Sequence, residues 1–224
     1  MQDAFYTDKL YPLQDKVLQV LSPINTVFYL TGGTVLSRHY FNHRYSDDLD
    51  FFTNNDSSFQ EQTQLAINAL KEKFEIRIQT IMPSYALVFV LFQGTELRLD
   101  FVNDVPYRVE SSISTKLFPK TDNWKNILSN KITALQREAP KDIADLIFLC
   151  KNFSFQWPTM IEQASMKDMW VNELEVSRHV DQYDVGLLSQ VKWQRPPDFE
   201  KMSVLLKTIA KDILLGTENS LVEK

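Results

Sequence analysis

Residues 30–52 read LTGGTVLSRHYFNHRYSDDLDFF, and this stretch carries most of the information about the fold. The short apolar run at 27–30 is typical of a β-strand, and it leads into two adjacent glycines, Gly32 and Gly33. Such glycines mark a turn in which the backbone takes unusual angles or approaches another group closely. From Thr34 onward the spacing of apolar residues predicts a helix. The stretch therefore begins as strand, glycine turn and helix.

The same stretch ends in a second predicted strand, over 48–53. Side chains two positions apart on a strand point to one face, so Asp48 and Asp50 project together while Leu49 faces the core. Two carboxylates on one face repel each other unless a cation lies between them. Mg²⁺ commonly uses one or two protein carboxylates together with phosphate oxygens. The pair therefore predicts a site for Mg²⁺, with Mn²⁺ as the alternative.

A third carboxylate, Asp100, lies in the strand-like run at 96–102, where its neighbours Leu99 and Phe101 alternate with polar residues. If this strand pairs with the one that carries Asp48, three aspartates converge. Three carboxylates are the minimum for two metal ions about 4 Å apart that clamp an in-line phosphoryl displacement. We therefore expect a two-metal site in which one ion activates a hydroxyl and the other holds a triphosphate.

The glycine turn supplies the phosphate-binding part of this hypothesis. Backbone N–H groups at a strand-to-helix turn form a cradle for phosphate, and glycines permit close approach. We expect Gly32, Gly33 and the Thr34 hydroxyl to contact a nucleotide, with Arg38 as a further nucleotide contact. The pattern lacks the lysine of a Walker motif and the spacing of a dinucleotide fingerprint.

The remaining periodicity indicates an α+β protein. A long helix is predicted at 58–73, and Gln93-Gly94 indicates a hairpin between two later strands. The strand-like runs of this region cover 75–81, 86–92 and 96–102. After Pro119 the pattern is mainly helical, with helices predicted at 124–137, 142–152, 158–178 and 199–215. We expect an α/β core in residues 1–115 and a C-terminal helical region in 116–224.

The composition is that of an ordinary globular protein, with 44% hydrophobic and 24% charged residues. The formal net charge of −5 argues against non-specific coating of nucleic acid, which requires many phosphate-neutralising lysines and arginines. The single cysteine excludes an internal disulfide, and neither a signal peptide nor a bilayer-spanning stretch is visible. These features fit a cytoplasmic protein that is independent of membranes.

A second group of charged residues lies in the helical region. Lys131 is on one predicted helix, and Asp142 and Asp145 share a face of the next because they are three residues apart. A lysine in this position could reach a triphosphate as a point charge. The alternative is an ordinary amphipathic helix pair whose salt bridges lie at the surface.

With these residues identified, the chain resembles the AbiEii/AbiGii-type nucleotidyltransferases, toxins of bacterial toxin–antitoxin and abortive-infection systems within the polymerase-beta-like superfamily. The resemblance lies in three stretches that together span 30–150: LTGGTVLSRHYFNHRYSDDLDFF, LRLDFV and NKITALQREAPKDIADLIFL. It implies a polymerase-beta-like core, which is a mixed sheet with flanking helices. It also implies transfer of a nucleoside monophosphate from an NTP to an acceptor hydroxyl, on RNA such as a tRNA end. A cognate antitoxin is implied as a partner.

The resemblance also implies roles for individual residues. Gly32, Gly33 and Thr34 would hold the triphosphate, while Lys131 would contact phosphate. The metal ligands would be Asp48, Asp50 and Asp100, and the residues that support the nucleotide or acceptor would be Asp142 or Asp145. Two other hypotheses stay open: a catalytically silent member that sequesters a protein or RNA, and a transferase of sugars. The glycine turn before the Asp-x-Asp pair argues against the sugar transferase.

Overall fold

The computed structural model describes residues 2–222 and divides into two compact units, of which the first ends at Asp122 and the second begins at Asn123. The first unit extends beyond residue 115, where the sequence places the boundary. The extension is held by backbone hydrogen bonds, because Thr121 exchanges two of them with Ile113, each 2.8 Å long. The segment that follows residue 115 therefore completes the first unit.

Over residues 2–122, the first unit contains a five-stranded sheet and four α-helices. Two of the helices precede the first strand, and the other two follow the first and the second strand. The strands are β1 (Tyr29–Thr31), β2 (Asp48–Asn54), β3 (Glu75–Ile81), β4 (Tyr85–Phe92) and β5 (Thr95–Asp104). The α-helices are α1 (Gln2–Phe5), α2 (Tyr11–Leu21), α3 (Gly32–Val35) and α4 (Phe59–Lys71). Shorter π- and 3₁₀-helical segments cover Tyr6–Leu10, Ser22–Ile24 and Leu36–Phe41.

The sheet is mixed, as the family resemblance implies, with strand order β1-β2-β5-β4-β3. Strands β2 and β5 run parallel, and the other neighbouring strands are antiparallel. The expected pairing of the two aspartate-bearing strands is confirmed, because Asp50 is the register partner of Asp100. On the other side of β2, Asp50 pairs with Thr31. Thr31, Asp50 and Asp100 thus form a row across the sheet.

Strand β2 separates a core face from a polar face. Leu49 and Phe51 are fully buried, whereas Asp48 and Asp50 are partly exposed, which is the alternation expected of a half-buried strand. The Phe51 ring stacks on Phe101 of β5, with ring centroids 5.4 Å apart. Burial of these aromatic side chains fixes the register, since a slip of one residue would turn the aspartates into the core.

The hairpin predicted at Gln93-Gly94 is confirmed between β4 and β5. Both residues take positive φ angles, 49° and 75°. Two successive left-handed residues define the tight turn whose twist matches paired antiparallel strands. The turn sets the register that places Leu87 beside Asp100.

The second unit is helical, as predicted, but the prediction of one helix at 158–178 is wrong. The α-helices are α5 (Trp124–Thr133), α6 (Pro140–Asn152), α7 (Trp157–Ser165), α8 (Glu173–Asp181) and α9 (Phe199–Leu215). The single helix expected at 158–178 is two helices, because the Asn172 side chain accepts a hydrogen bond from the Glu175 N–H at 3.0 Å and starts a new helix there. Among residues 2–222, no helix is both long and apolar enough to cross a bilayer.

Candidate functional site

The glycine turn lies directly against the acidic face of the sheet. Gly32 follows β1 with a φ of +74°, and a Cβ added to it would lie 2.2 Å from Oδ2 of Asp50. A Cβ added to Gly33 would lie 2.3 Å from a guanidinium nitrogen of the buried Arg44. Only glycine fits at residue 32, since both the backbone angle and the space exclude a side chain. The backbone of the turn is therefore within reach of a ligand held by Asp50.

Thr34 contributes to the turn from inside the protein. Its hydroxyl donates a hydrogen bond to the main-chain carbonyl of Asp48, and the side chain is buried. The sequence assigns this hydroxyl to a phosphate, whereas in the structure it ties α3 to the first residue of β2. This bond aligns the glycine turn with the Asp-x-Asp pair.

The three predicted metal ligands share one face of the sheet but have different surroundings. Asp48 lies in register with Arg98, and Asp50 lies in register with Asp100. Ser46 places its hydroxyl 3.4 Å from Oδ1 of Asp48. Asp48 and Asp50 are partly open to solvent, while Asp100 is buried. The open part of the acidic face is thus the β2 pair.

The Asp100 carboxylate is engaged by three hydrogen-bond donors. Arg98 donates from Nε to Oδ2 at 2.6 Å and from Nη2 to Oδ1 at 2.7 Å, and the Tyr85 hydroxyl donates to Oδ1 at 2.6 Å. The hydrogen bond to Asp100 raises the pKa of Arg98. Burial, followed by the Asp100 contact, raises the pKa of Tyr85. Both donors therefore keep their protons near neutral pH.

The two carboxylates of β2 suit a hard divalent cation that is coordinated by carboxylate and phosphate oxygens together. Among residues 2–222, no group of three or more His, Cys, Asp or Glu side chains is arranged to hold a metal ion. Asp48 and Asp50 supply two carboxylates beside a turn whose closest point lacks a Cβ, and Mg²⁺ commonly uses one or two protein carboxylates. The residues fit Mg²⁺ with two carboxylates, while the third is paired with Arg98.

A buried ion pair that the sequence did not identify supports the glycine turn. Asp122 is fully buried; its Oδ2 accepts a hydrogen bond from the Thr31 hydroxyl at 2.6 Å, and its Oδ1 accepts one from Arg108 at 2.8 Å. The Arg108 guanidinium also lies 3.7 Å from the centre of the Tyr29 ring. The contact joins residues far apart in the chain, so no local pattern could have indicated it.

Arg38, a predicted nucleotide contact, is bound by three side chains of α2 in the structure. Its guanidinium donates to Gln14 at 3.1 Å and to Asp15 at 2.6 Å, and it lies over the Tyr11 ring. Arg38 also lines a surface cavity of about 850 Å³. The other lining residues are Asp15, Leu18, Gln19, Ser22, His39 and residues 114–119.

The charged residues of the second unit form a buried network. The Lys131 ammonium lies 2.6 Å from a carboxylate oxygen of Asp142 and 2.6 Å from one of Asp145. The two carboxylates are 1% and 0% exposed. Arg137, which is 66% exposed, pairs with the second oxygen of Asp142 at 2.9 Å. The sequence left open that the salt bridges of this helix pair lie at the surface, whereas the two salt bridges of Lys131 are buried in the helical unit.

Comparison with known proteins relates this architecture to a family. Residues 16–214 match the family model of the AbiEii nucleotidyl transferase toxin of type IV toxin–antitoxin systems. The fold is similar to that of JHP933 from Helicobacter pylori, with a TM-score of 0.60, 19% identity and coverage of 92% of this chain and 93% of that one.

A candidate nucleotidyltransferase from H. pylori is also similar, with a TM-score of 0.59, 18% identity and coverage of 92% and 96%. No curated protein sequence gives a significant match. The family model covers most of the chain, including the glycine turn, the acidic face and the buried lysine network. The chain belongs to the AbiEii nucleotidyl transferase toxin family and is a nucleotidyltransferase.

Proposed function

We propose that this nucleotidyltransferase moves a nucleoside monophosphate from an NTP to a hydroxyl of RNA, such as a tRNA end. The observation that carries the proposal is the contact between the glycine turn and the acidic face, where the Gly32 backbone meets the Asp50 carboxylate. Backbone N–H groups at such a turn bind phosphate, and carboxylates on the adjacent strand bind the cation that accompanies it. The two features together suit a triphosphate.

Asp48 and Asp50 are the proposed ligands for Mg²⁺, or for Mn²⁺ in its place. When bound, the ion neutralises charge on the triphosphate and on the leaving pyrophosphate. Gly32 and Gly33 would hold phosphate oxygens through their backbone, in a position fixed by the bond from Thr34 to β2. Asp100 is the proposed third carboxylate.

Lys131 remains the proposed phosphate contact of the second unit. Its ammonium is fixed between Asp142 and Asp145, so its position costs little side-chain entropy on binding. Asp142 and Asp145 would then act by positioning the lysine.

The proposed partners follow from the family and the reaction. An antitoxin is implied by the type IV toxin–antitoxin family. NTP and RNA are the proposed substrates, and we propose the cytoplasm as the location, where both occur. The buried thiol of Cys150 is consistent with a reducing compartment.

One observation favours a second function, that of a binding module without catalysis. Asp100 is paired with Arg98, and no three-carboxylate cluster is present among residues 2–222. A silent module would sequester RNA or a protein without transferring nucleotide. The two functions differ in a single measurable product, which is RNA carrying a label derived from the NTP.

The experiment that tests the proposal supplies one α-³²P-labelled NTP at a time to the protein with total RNA and Mg²⁺. We expect label in RNA with at least one NTP, and loss of that label in Asp50→Asn, which removes a ligand charge from β2. Asp56→Asn is the matched control, because Asp56 is an acid of the same unit whose side chain accepts hydrogen bonds from the Ser58 N–H and hydroxyl, just before α4. Label that survives in Asp50→Asn would exclude Asp50 from the reaction, and no label with any NTP would favour the silent module.

A further inference from the structure

Arg98 places a positive charge on the same face of the sheet as the proposed metal ligands. Its backbone lies in register with Asp48, and its guanidinium reaches along β5 to both oxygens of Asp100. The side chain is 48% exposed, whereas that of Asp100 is 9% exposed. A half-exposed arginine thus covers a buried carboxylate at the centre of the site.

A guanidinium and a divalent cation compete for the same carboxylate. Both oxygens of Asp100 accept hydrogen bonds from Arg98, so a metal ion at Asp100 would stand beside a like charge within a few ångströms. Arg98 therefore acts as the counter-ion of Asp100 in the free protein. Release of Arg98 is needed before Asp100 can join Asp48 and Asp50 as a metal ligand.

An incoming triphosphate offers Arg98 a better partner than Asp100. The planar guanidinium binds phosphate in a bidentate manner, and a triphosphate carries more negative charge than one carboxylate. The exposed side chain can turn away from the sheet while its backbone stays fixed in β5. Tyr85, which also donates to Asp100, would keep that carboxylate oriented after Arg98 leaves.

We propose that Arg98 exchanges partners during nucleotide binding: it pairs with Asp100 in the free protein and binds the triphosphate in the complex, which frees Asp100 for the metal. The inference rests on the proposed function. It assigns Arg98 as a further nucleotide-binding residue and gives the order in which the carboxylates bind metal. Metal bound without nucleotide uses the β2 pair, and the third carboxylate becomes available with the NTP.

The exchange predicts opposite effects of one substitution on two affinities. In Arg98→Gln, Asp100 loses its counter-ion, so we expect Mn²⁺ to bind roughly threefold to tenfold more tightly in the absence of nucleotide. The same variant loses a phosphate contact, so a non-hydrolysable NTP analogue with Mn²⁺ should bind roughly tenfold more weakly. A structural role of Arg98 would move both affinities in the same direction, through loss of folded protein.

The test measures both affinities by isothermal titration calorimetry and folding by urea unfolding. Arg77→Gln is the matched control, because Arg77 also pairs with an acid of β5, Glu96, and lies over the Phe89 ring, but Glu96 is not a proposed metal ligand. We expect it to leave both affinities unchanged. Arg98→Lys is the second variant should Arg98→Gln fail to fold; it keeps the charge, and we expect smaller changes in the same two directions.

The outcomes separate the inference from the proposed function. If wild type and Arg77→Gln bind Mn²⁺ and nucleotide but Arg98→Gln changes neither affinity, or weakens both, the exchange is overturned and the proposed function stands. If wild type binds no Mn²⁺–nucleotide complex, the proposed function fails and the exchange fails with it. Tighter metal binding together with weaker nucleotide binding supports the exchange.

Discussion

Gly32 and Gly94 have nearly the same backbone conformation, with φ angles of +74° and +75°, but very different surroundings. A Cβ on Gly32 would lie 2.2 Å from the Asp50 carboxylate, whereas a Cβ on Gly94 would meet nothing within 4 Å. The comparison separates the cost of a left-handed backbone from the cost of filling the site. The two glycines therefore provide a matched pair of substitutions.

Gly94→Ala should lower the free energy of unfolding by about 1–2 kcal/mol, the cost of the left-handed conformation alone. Gly32→Ala should cost a further ~1–3 kcal/mol, because the added methyl displaces Asp50, and it should also weaken nucleotide binding. Urea unfolding and calorimetric titration measure these effects. Equal stability and equal nucleotide affinity in the two variants would show that the close contact at Gly32 has no role.

Lys131 is the shared cation of two buried carboxylates in the helical unit. Lys131→Met leaves Asp142 and Asp145 buried without their shared cation, and loss of one partner from a buried ion pair typically costs about 3–5 kcal/mol. We expect a loss of stability of that order in urea unfolding. The loss should be partly reversed when Asp142→Asn and Asp145→Asn are added, because fewer buried negative charges then remain.

The control for Lys131 is Arg137, which contacts the same Asp142 from the surface. Because Arg137 is 66% exposed, solvent screens its ion pair, and Arg137→Met should cost less than about 1 kcal/mol. A larger loss from Arg137→Met than from Lys131→Met would contradict the assignment of Lys131 as the central cation.

At the scale of elements, period-two patterns predicted the strands well. The alternation in 48–53 and 96–102 indicated which side chains share a face, and the pairing of β2 with β5 in the structure places Asp50 beside Asp100. The same reasoning could have found Arg98, since it is two residues before Asp100 and therefore on the same face. The sequence pattern identified charged residues but could not show which charges pair.

Helix boundaries were predicted less well where no glycine or proline marks the break between two helices. The region 158–178 keeps enough apolar residues to read as one helix, yet α8 starts anew at the Asn172 cap. The buried pair of Asp122 with Arg108 was also invisible, because it depends on the tertiary position of a segment that forms no strand or helix. Contacts distant in the chain leave no local signal.

The cap of α8 gives a prediction at this scale. Asn172→Ala removes the acceptor for the Glu175 N–H and should lower the free energy of unfolding by about 1 kcal/mol. Asn172→Asp should retain most of the stability, because an aspartate caps equally well and favours the positive end of the helix dipole. Urea unfolding of both variants tests this, and an alanine variant as stable as wild type would contradict the capping role.

At the scale of the molecule, the division after Asp122 predicts which N-terminal fragment folds by itself. A fragment of residues 1–122 should fold, because it retains the whole sheet and the Thr121–Ile113 pairing. A fragment of residues 1–115 should be less stable by several kcal/mol, since it lacks the Thr121 hydrogen bonds and leaves the Arg108 guanidinium without its partner Asp122. Circular dichroism and urea unfolding measure both, and equal stability would contradict the division.

The central claim is that the acids of β2 and the adjacent glycine turn hold a metal–triphosphate complex. The most direct measurement is anomalous scattering from crystals of the protein grown with Mn²⁺ and a non-hydrolysable NTP analogue. We predict an anomalous peak within coordination distance of Asp48 and Asp50, with phosphate density against Gly32 and Gly33. A peak elsewhere, or triphosphate density away from the turn, would contradict the account.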